Sequence, residues 1–316
     1  MSKTTKTAFL IDEIDNIKTY KDTSFALMLK CQELNYSISF FTISDMSINQ
    51  GIVEAKTTDI TISDQKENWY QITKKQQIPL NQYDIVFIRK EPPFSQHYLY
   101  ATQMLDMVAK EGIKVLNNPK GIRDFNEKIY SLHFKEFAPK TLISSNSEQI
   151  TKFIHEEKQA ILKPLDGMGG SSIFKVNSDD SNCNVIIETL TQHSTKHIVC
   201  QEFLPEIKEG DRRIIIAAGK VIPFCLNRIP QGKDHRGNIA AGGLGQVEPV
   251  SEENMNIANQ IAKELIKHDL LLVGLDMIGN KVTEINITSP TCVREITAAT
   301  NIDITGMILD YIKDKK

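Results

Sequence analysis

Apolar positions in the first third of the chain alternate between two periods. Short apolar runs at 7–11, 37–43, 84–88 and 114–116 read as strands. Between them, Phe25, Leu27, Met28, Cys31 and Leu34 fall at helical spacing, and 98–111 is an amphipathic helix stopped by Gly112. This alternation predicts a mostly parallel sheet covered by helices, with ligands beyond the carboxyl ends of its strands. The strand at 85–88 runs into Arg89-Lys90-Glu91-Pro92-Pro93, which puts Arg89 at such an edge.

The pattern shifts after Asn126. Helices are predicted at 127–137 and 147–157, the second opening with Ser147 as a capping residue. Strands are predicted at 141–143, 160–163 and 173–176, and a further helix at 252–267. Strands otherwise dominate from Gln201 onward. Three units follow: an N-terminal α/β domain at 1–123, a central lobe at 124–200 and a C-terminal lobe at 201–316. There is no internal repeat and no low-complexity tract.

The run VGLDMIGNKVTEIN reads as two strands about a tight turn at Gly279-Asn280. Glu284 and Asn286 are two residues apart and share a strand face. Asp276 joins that face only if the turn holds an odd number of residues or a bulge intervenes. With that condition met, the three oxygen-bearing side chains suit Mg2+, a hard cation held by one or two carboxylates and substrate phosphates. The competing reading is a hairpin with solvent-facing polar residues. Strongly apolar flanks and an Asn inside a strand weigh against it.

Other segments carry complementary chemistry. ILKPLDGMGGSSIF is a strand, a lysine, a glycine-rich turn and a second strand. Gly167, Gly169 and Gly170 let backbone amides approach phosphate oxygens, and Lys163 supplies a mobile charge. It is not a P-loop, because the GxxxxGK[ST] order is absent and a strand follows the glycines. An ordinary β-hairpin turn is the other reading. Gln201, Glu202, Phe203 and Leu204 end an apolar strand and could offer backbone groups to an adenine edge. Asp211 and Arg213 share a face of the next strand, although taken alone charges there read by default as a solvated strand end. Arg228 closes a later strand. The stretch 229–245 carries Lys233, His235, Arg236, Gly242 and Gly243. It has the length and composition of a basic lid over phosphates. Ser289 and Arg294 follow the metal strand and could meet a substrate carboxylate; the alternative for Arg294 is a surface ion pair.

Composition narrows the classes. With Lys+Arg 37 against Asp+Glu 40, the chain lacks the basic excess of a nucleic-acid protein. The N-terminal apolar run at 8–11 is too short for a signal peptide, and no segment reaches membrane-spanning length without charges. The 5 cysteines have no CxxC spacing and read as reduced thiols of a cytoplasmic protein, so neither nucleic acid nor membrane is an expected partner.

Taken in order, Lys128, Lys163 with its glycines, 201–204, Arg228, Asp276, Glu284 and Asn286 resemble the ATP-grasp ligases. The runs RKEPPF, NEK, LKPLDGMGG, RIPQG, RGNIAAGG, VGLD, TEIN and SPTC are more specific. They resemble the bacterial glutathione synthetase family over nearly the whole chain. The resemblance implies an α/β ATP-grasp architecture and ATP-dependent joining of γ-glutamylcysteine to glycine through an acyl phosphate. It implies that Lys128, Lys163, Gly167, Gly169, Gly170, the 201–204 segment and Asp211 hold ATP. Asp276, Glu284 and Asn286 would hold Mg2+ or Mn2+. Arg213 and Arg228 would be catalytic, with Arg89, Arg228, Ser289 and Arg294 toward the substrate. A homo-oligomer, specifically a tetramer, is also implied. The rivals are another carboxylate–amine ligase, such as a D-alanine ligase, and an ATP-binding protein without chemistry. The completeness of the acidic and cationic set weighs against the second.

Overall fold

The computed structural model describes residues 4–232, 237 and 242–315. Its first part runs β1 (Lys6–Leu10), α1 (Thr23–Glu33), β2 (Ser37–Phe41), β3 (Met46–Asn49), β4 (Ile52–Ile62), β5 (Tyr70–Pro79), β6 (Ile85–Ile88), α2 (Gln96–Lys110), β7 (Lys114–Leu116) and α3 (Pro119–Asp124). The strands make a 7-stranded sheet in the order β3-β4-β2-β1-β6-β7, with β5 also paired to β4. β2, β1, β6 and β7 are parallel, as the alternation predicts, whereas β3, β4 and β5 are antiparallel additions. The long β4–β5 hairpin left little trace in the apolar pattern because β5 is largely exposed. Asp22 caps α1 by accepting from the Phe25 amide, and Ser95 caps α2 through the Tyr98 amide.

The middle of the chain runs β8 (Thr141–Ser144), α4 (Ser147–Glu157), β9 (Gln159–Pro164), β10 (Phe174–Asn177), α5 (Cys183–Thr191) and β11 (Ile198–Glu202). Its 4-stranded antiparallel sheet has the order β10-β9-β11-β8. The last part runs β12 (Asp211–Ala217), β13 (Lys220–Ile229), β14 (Leu244–Pro249), α6 (Glu252–Leu265), β15 (Leu272–Ile278), β16 (Lys281–Asn286), α7 (Val293–Thr300) and α8 (Ile304–Asp314). Its 5-stranded antiparallel sheet has the order β14-β13-β12-β15-β16.

Packing joins these sheets unequally. Phe9, Phe25 and Phe87 share one buried cluster with Ile215, Leu272, Ile304 and Ile308, so the first and third sheets share a core. The central lobe has its own small cluster, including Ile150, Leu162, Val176 and Ile198. Buried Asn117 pins the first and third sheets together. Its Oδ1 accepts from the Leu271 and Leu272 amides at 2.8 and 3.0 Å, and its Nδ2 donates to the Leu272 and Ile287 carbonyls at 2.8 and 2.7 Å.

The helix expected at 127–137 is only a short 3-10 turn at Tyr130–Phe134. Three bonds, two local and one to a distant strand, divert the chain. Asn126 Oδ1 takes the Lys128 and Ile129 amides, and the Glu127 carbonyl accepts from the Ile285 amide of β16. A carbonyl spent on a neighbouring strand is lost to helix propagation.

Candidate active site

The β15–β16 hairpin meets the geometric condition for a shared face. Ile278 pairs with Lys281 across a two-residue turn, and Met277 with Val282. The register then slips, leaving Thr283 unpaired and placing Asp276 opposite Glu284 and Gly274 opposite Asn286. Asn286 Nδ2 lies 3.2 Å from Asp276 Oδ2, so the three side chains converge. Among the described residues no group of three His, Cys, Asp or Glu side chains forms a closed metal cage. Two opposed carboxylates and an amide are instead an open, all-oxygen donor set. That set fits a divalent ion that completes its shell with phosphates and water.

Each acid is neutralised by cations from other elements. Arg213, on β12 directly across from Asp276, grips that carboxylate with Nε and, at 2.8 Å, with Nη2. Arg228 Nη2 lies 3.0 Å from Asp276 and 2.6 Å from Asp211, its cross-strand partner. Glu284 receives Lys163 Nζ at 3.1 Å and Lys128 Nζ at 3.7 Å. Lys128 also donates to the Gly167 carbonyl at 2.7 Å, tying the glycine turn to the strand that carries Glu284. Burial would raise the Asp276 carboxyl, but Arg213 and Arg228 outweigh it and hold it well below the usual range. Burial likewise opposes ionisation of Glu284, yet Lys128 and Lys163 bring its pKa below the ordinary value. Asp211 goes the other way, because burial and the nearby Asp276 charge outweigh its partner Arg228. Gly274 is required for close approach: a Cβ there would lie 2.8 Å from Arg213 Cδ.

Two cavities meet at this cluster. The first, about 870 Å³, is lined by Lys128, Lys163, Gly167, Gly169, Gly170, Gln201, Glu202, Phe203, Leu204 and Asp211. All the nucleotide-side residues picked out in the sequence therefore come together. The Leu204 amide, beside that cavity, donates to nothing among the described residues. The second, about 1320 Å³, is lined by Arg213, Arg228, Asn286, Ser289 and Cys292 on one side and Lys18, Lys21 and Glu91 on another. Glu284, Gly167 and Gly169 line both.

Two substrate-side expectations need correction. Arg294 makes two contacts with Asp64 in the β4–β5 turn, at 2.9 and 3.0 Å, and lies over the Phe25 ring. It lines neither cavity, since the first turn of α7 directs Cys292 and Glu295 inward and Arg294 toward the hairpin. Arg89 is buried, but it donates to Ser24 Oγ at 3.0 Å and to the Pro290 carbonyl at 2.9 Å. It buttresses the wall behind Ser289 and borders two smaller recesses, one of them there. Arg236 lies outside the described residues, as do 233–235 and 238–241 of the expected lid; Gly242 and Gly243 are described and line neither cavity.

The sequence reading missed Glu127, which lines the second cavity, although it adjoins Lys128 in the run NEK. It also missed Lys18 and Lys21. They follow the carboxyl end of parallel β1, the position where ligands of such sheets collect.

A nucleotide-sized cleft between two antiparallel lobes, with paired lysines facing a carboxylate hairpin, defines an ATP-grasp ligase. Solved structures agree on the fold. The chain is similar to D-cycloserine synthetase DcsG, with TM-score 0.68 over 97% of this chain and 99% of that one at 10% identity. It is also similar to the ATP-grasp ligase PsnB, with TM-score 0.64 over 99% of each at 16% identity. Residues 5–123 match the model of the prokaryotic glutathione synthetase N-terminal domain, and 127–301 that of the prokaryotic glutathione synthetase ATP-grasp domain. Glutathione synthetase of Escherichia coli O127:H6 is 42% identical over 308 residues, covering 98% of both chains. That of Vibrio vulnificus YJ016 is 44% identical, covering 98% of this chain and 97% of the relative. The chain belongs to the prokaryotic glutathione synthetase family. Its reaction is the ligation of γ-L-glutamyl-L-cysteine and glycine to glutathione, driven by ATP in the presence of a divalent metal.

Proposed function

We propose that the two cavities divide this reaction between them. The nucleotide occupies the first, with its adenine against 201–204, and the dipeptide occupies the second. The observation that carries the division is their junction: Glu284 and the glycine turn border both, so the γ-phosphate and the dipeptide carboxylate meet there. Lys128 and Lys163 hold the phosphates, and the Gly167–Gly170 amides approach their oxygens. Asp276, Glu284 and Asn286 would hold Mg2+, with Mn2+ the alternative. When bound, the ion neutralises charge on the phosphates and orients them.

The dipeptide's cysteinyl carboxylate attacks the γ-phosphorus and ADP leaves. Arg228 and Arg213 lie beside that path and offset the negative charge gathering on the transferring group. The glycine amine, having lost a proton, then attacks the acyl carbon and phosphate departs. No protein nucleophile is needed, and the cysteines support none. Burial pushes the Cys31, Cys200 and Cys225 thiols up to about 12.

The chain divides into domains at 1–123, 124–200 and 201–316. Its unpaired thiols support a cytoplasmic setting, and the family resemblance supports a tetramer, which light scattering measures directly. The deciding assay measures ADP release with γ-glutamylcysteine plus glycine and with D-alanine alone. Release confined to the first pair is the expected result, and turnover of D-alanine alone would overturn the reading.

A further inference from the structure

The second cavity has a wall that the catalytic set does not explain. Beyond Asn286 the chain leaves β16 through buried Ile287, and Thr288, Ser289 and Pro290 then run along the cavity. This segment has no next strand to pair with, so its amides need another acceptor. One side chain supplies it. Glu127 Oε1 accepts from the Ile287 amide at 2.9 Å, the Thr288 amide at 3.1 Å and Thr288 Oγ1 at 2.8 Å. The Glu127 carbonyl accepts from the Ile285 amide one step earlier, so a single residue extends the edge of β16 by backbone and then by side chain. Asn117 holds the same segment from the other side through the Ile287 carbonyl.

We infer that Glu127 is a positioning residue, fixing the 287–290 wall of the dipeptide cavity relative to the phosphate-side lysine that follows it in the chain. Lys128 reaches Glu284 and the Gly167 carbonyl on the nucleotide side, and Glu127 reaches Ile287 and Thr288 on the dipeptide side. Two adjacent residues thus set both substrates against the same strand. The contacts on Glu127 Oε1 need an acceptor oxygen at that point and no particular charge, so an amide in its place keeps the wall. The wall touches the dipeptide and not the nucleotide, so disturbing it acts on one substrate selectively. The inference rests on the assignment of the second cavity to γ-glutamylcysteine.

The test compares Glu127→Ala and Glu127→Gln in the full chain, with Thr288→Val removing one donor from the opposite side. KM for γ-glutamylcysteine should rise about tenfold or more in Glu127→Ala, from the loss of the three hydrogen bonds that Oε1 accepts. ADP affinity, read by calorimetry, should stay at the wild-type value. Glu127→Gln should restore most of the dipeptide KM, and Thr288→Val should show a smaller rise of the same kind. A wild-type dipeptide KM in Glu127→Ala would overturn the role. So would equal losses of dipeptide and ADP binding, which mark a merely structural residue. Glu127→Gln as damaged as Glu127→Ala would overturn it in favour of a role for the charge itself. Saturable dipeptide-dependent ADP release by the wild-type chain tests the underlying assignment separately; without it, that assignment fails and the role fails with it.

Discussion

At the scale of residues, the site is a set of acids and cations that neutralise one another before any ligand arrives. Glu284 pairs with Lys163 and Lys128, the same lysines proposed to hold the nucleotide phosphates. Glu284→Gln should therefore have two opposite effects. Turnover should fall by about two orders of magnitude or more, because a carboxylate proposed to hold the metal is gone. Metal-free ADP should bind about fivefold tighter, the effect of roughly 1 kcal/mol from freeing the lysines. Calorimetry in the presence of a chelator reads this directly, and unchanged or weaker metal-free binding would refute the competition. Lys163→Ala should weaken ADP binding with or without metal. The pH dependence has a definite sign. The folded pKa of Glu284 lies below its ordinary value, so its contribution to stability is complete above about pH 4 and is lost as pH falls through the folded value. Thermal melts of wild type and Glu284→Gln should differ by a constant amount from pH 7 to about 5, and converge only in more acidic buffer.

At the scale of elements, function depends on how strands are held against one another. The bulge at Thr283 turns Glu284 toward Asp276, and a plain two-residue hairpin would have turned it away. Asn117 works between sheets. All four of its side-chain bonds reach the β15 entry or the segment beyond β16, and all are buried. Asn117→Ala strips two buried amides of their acceptor and should cost about 2–4 kcal/mol of stability. Urea unfolding followed by circular dichroism measures this; a loss well under 1 kcal/mol would mean that water or another group replaces the side chain.

At the scale of the whole molecule, the first and third sheets share a core while the central lobe keeps its own. The first cavity lies where this smaller lobe faces the larger body, and ionic contacts from Lys163 and Lys128 cross it. The acids of the cleft already have partners, so metal is not needed to hold the fold. Exhaustive chelation should abolish turnover yet leave the melting temperature of the nucleotide-free chain unchanged. The stabilisation produced by added ADP should be larger with metal than without it, since mass action follows the tighter complex. A melting temperature that drops on chelation alone would assign the ion a structural part.

Periodicity, turn residues and charge placement were enough to determine the alternating first domain, the glycine turn and the acids of the last hairpin, although the cap of α4 is Asn146 and not Ser147. These features depend on near neighbours in the chain, and local sterics and hydrogen bonding leave them little choice. The long β4–β5 hairpin escaped because an exposed strand carries no apolar signature. Position 127–137 was misread as helix because its carbonyl and amides are claimed by Asn126 and a strand some 160 residues away in sequence. Arg294 could be read either as a substrate ligand or as a surface ion pair, and only the packing of α7 against the hairpin chose Asp64. The sequence thus determined which chemical groups are present. Tertiary structure alone decided which of them face the cavities, because burial and partnership are set by contacts between residues far apart in the chain.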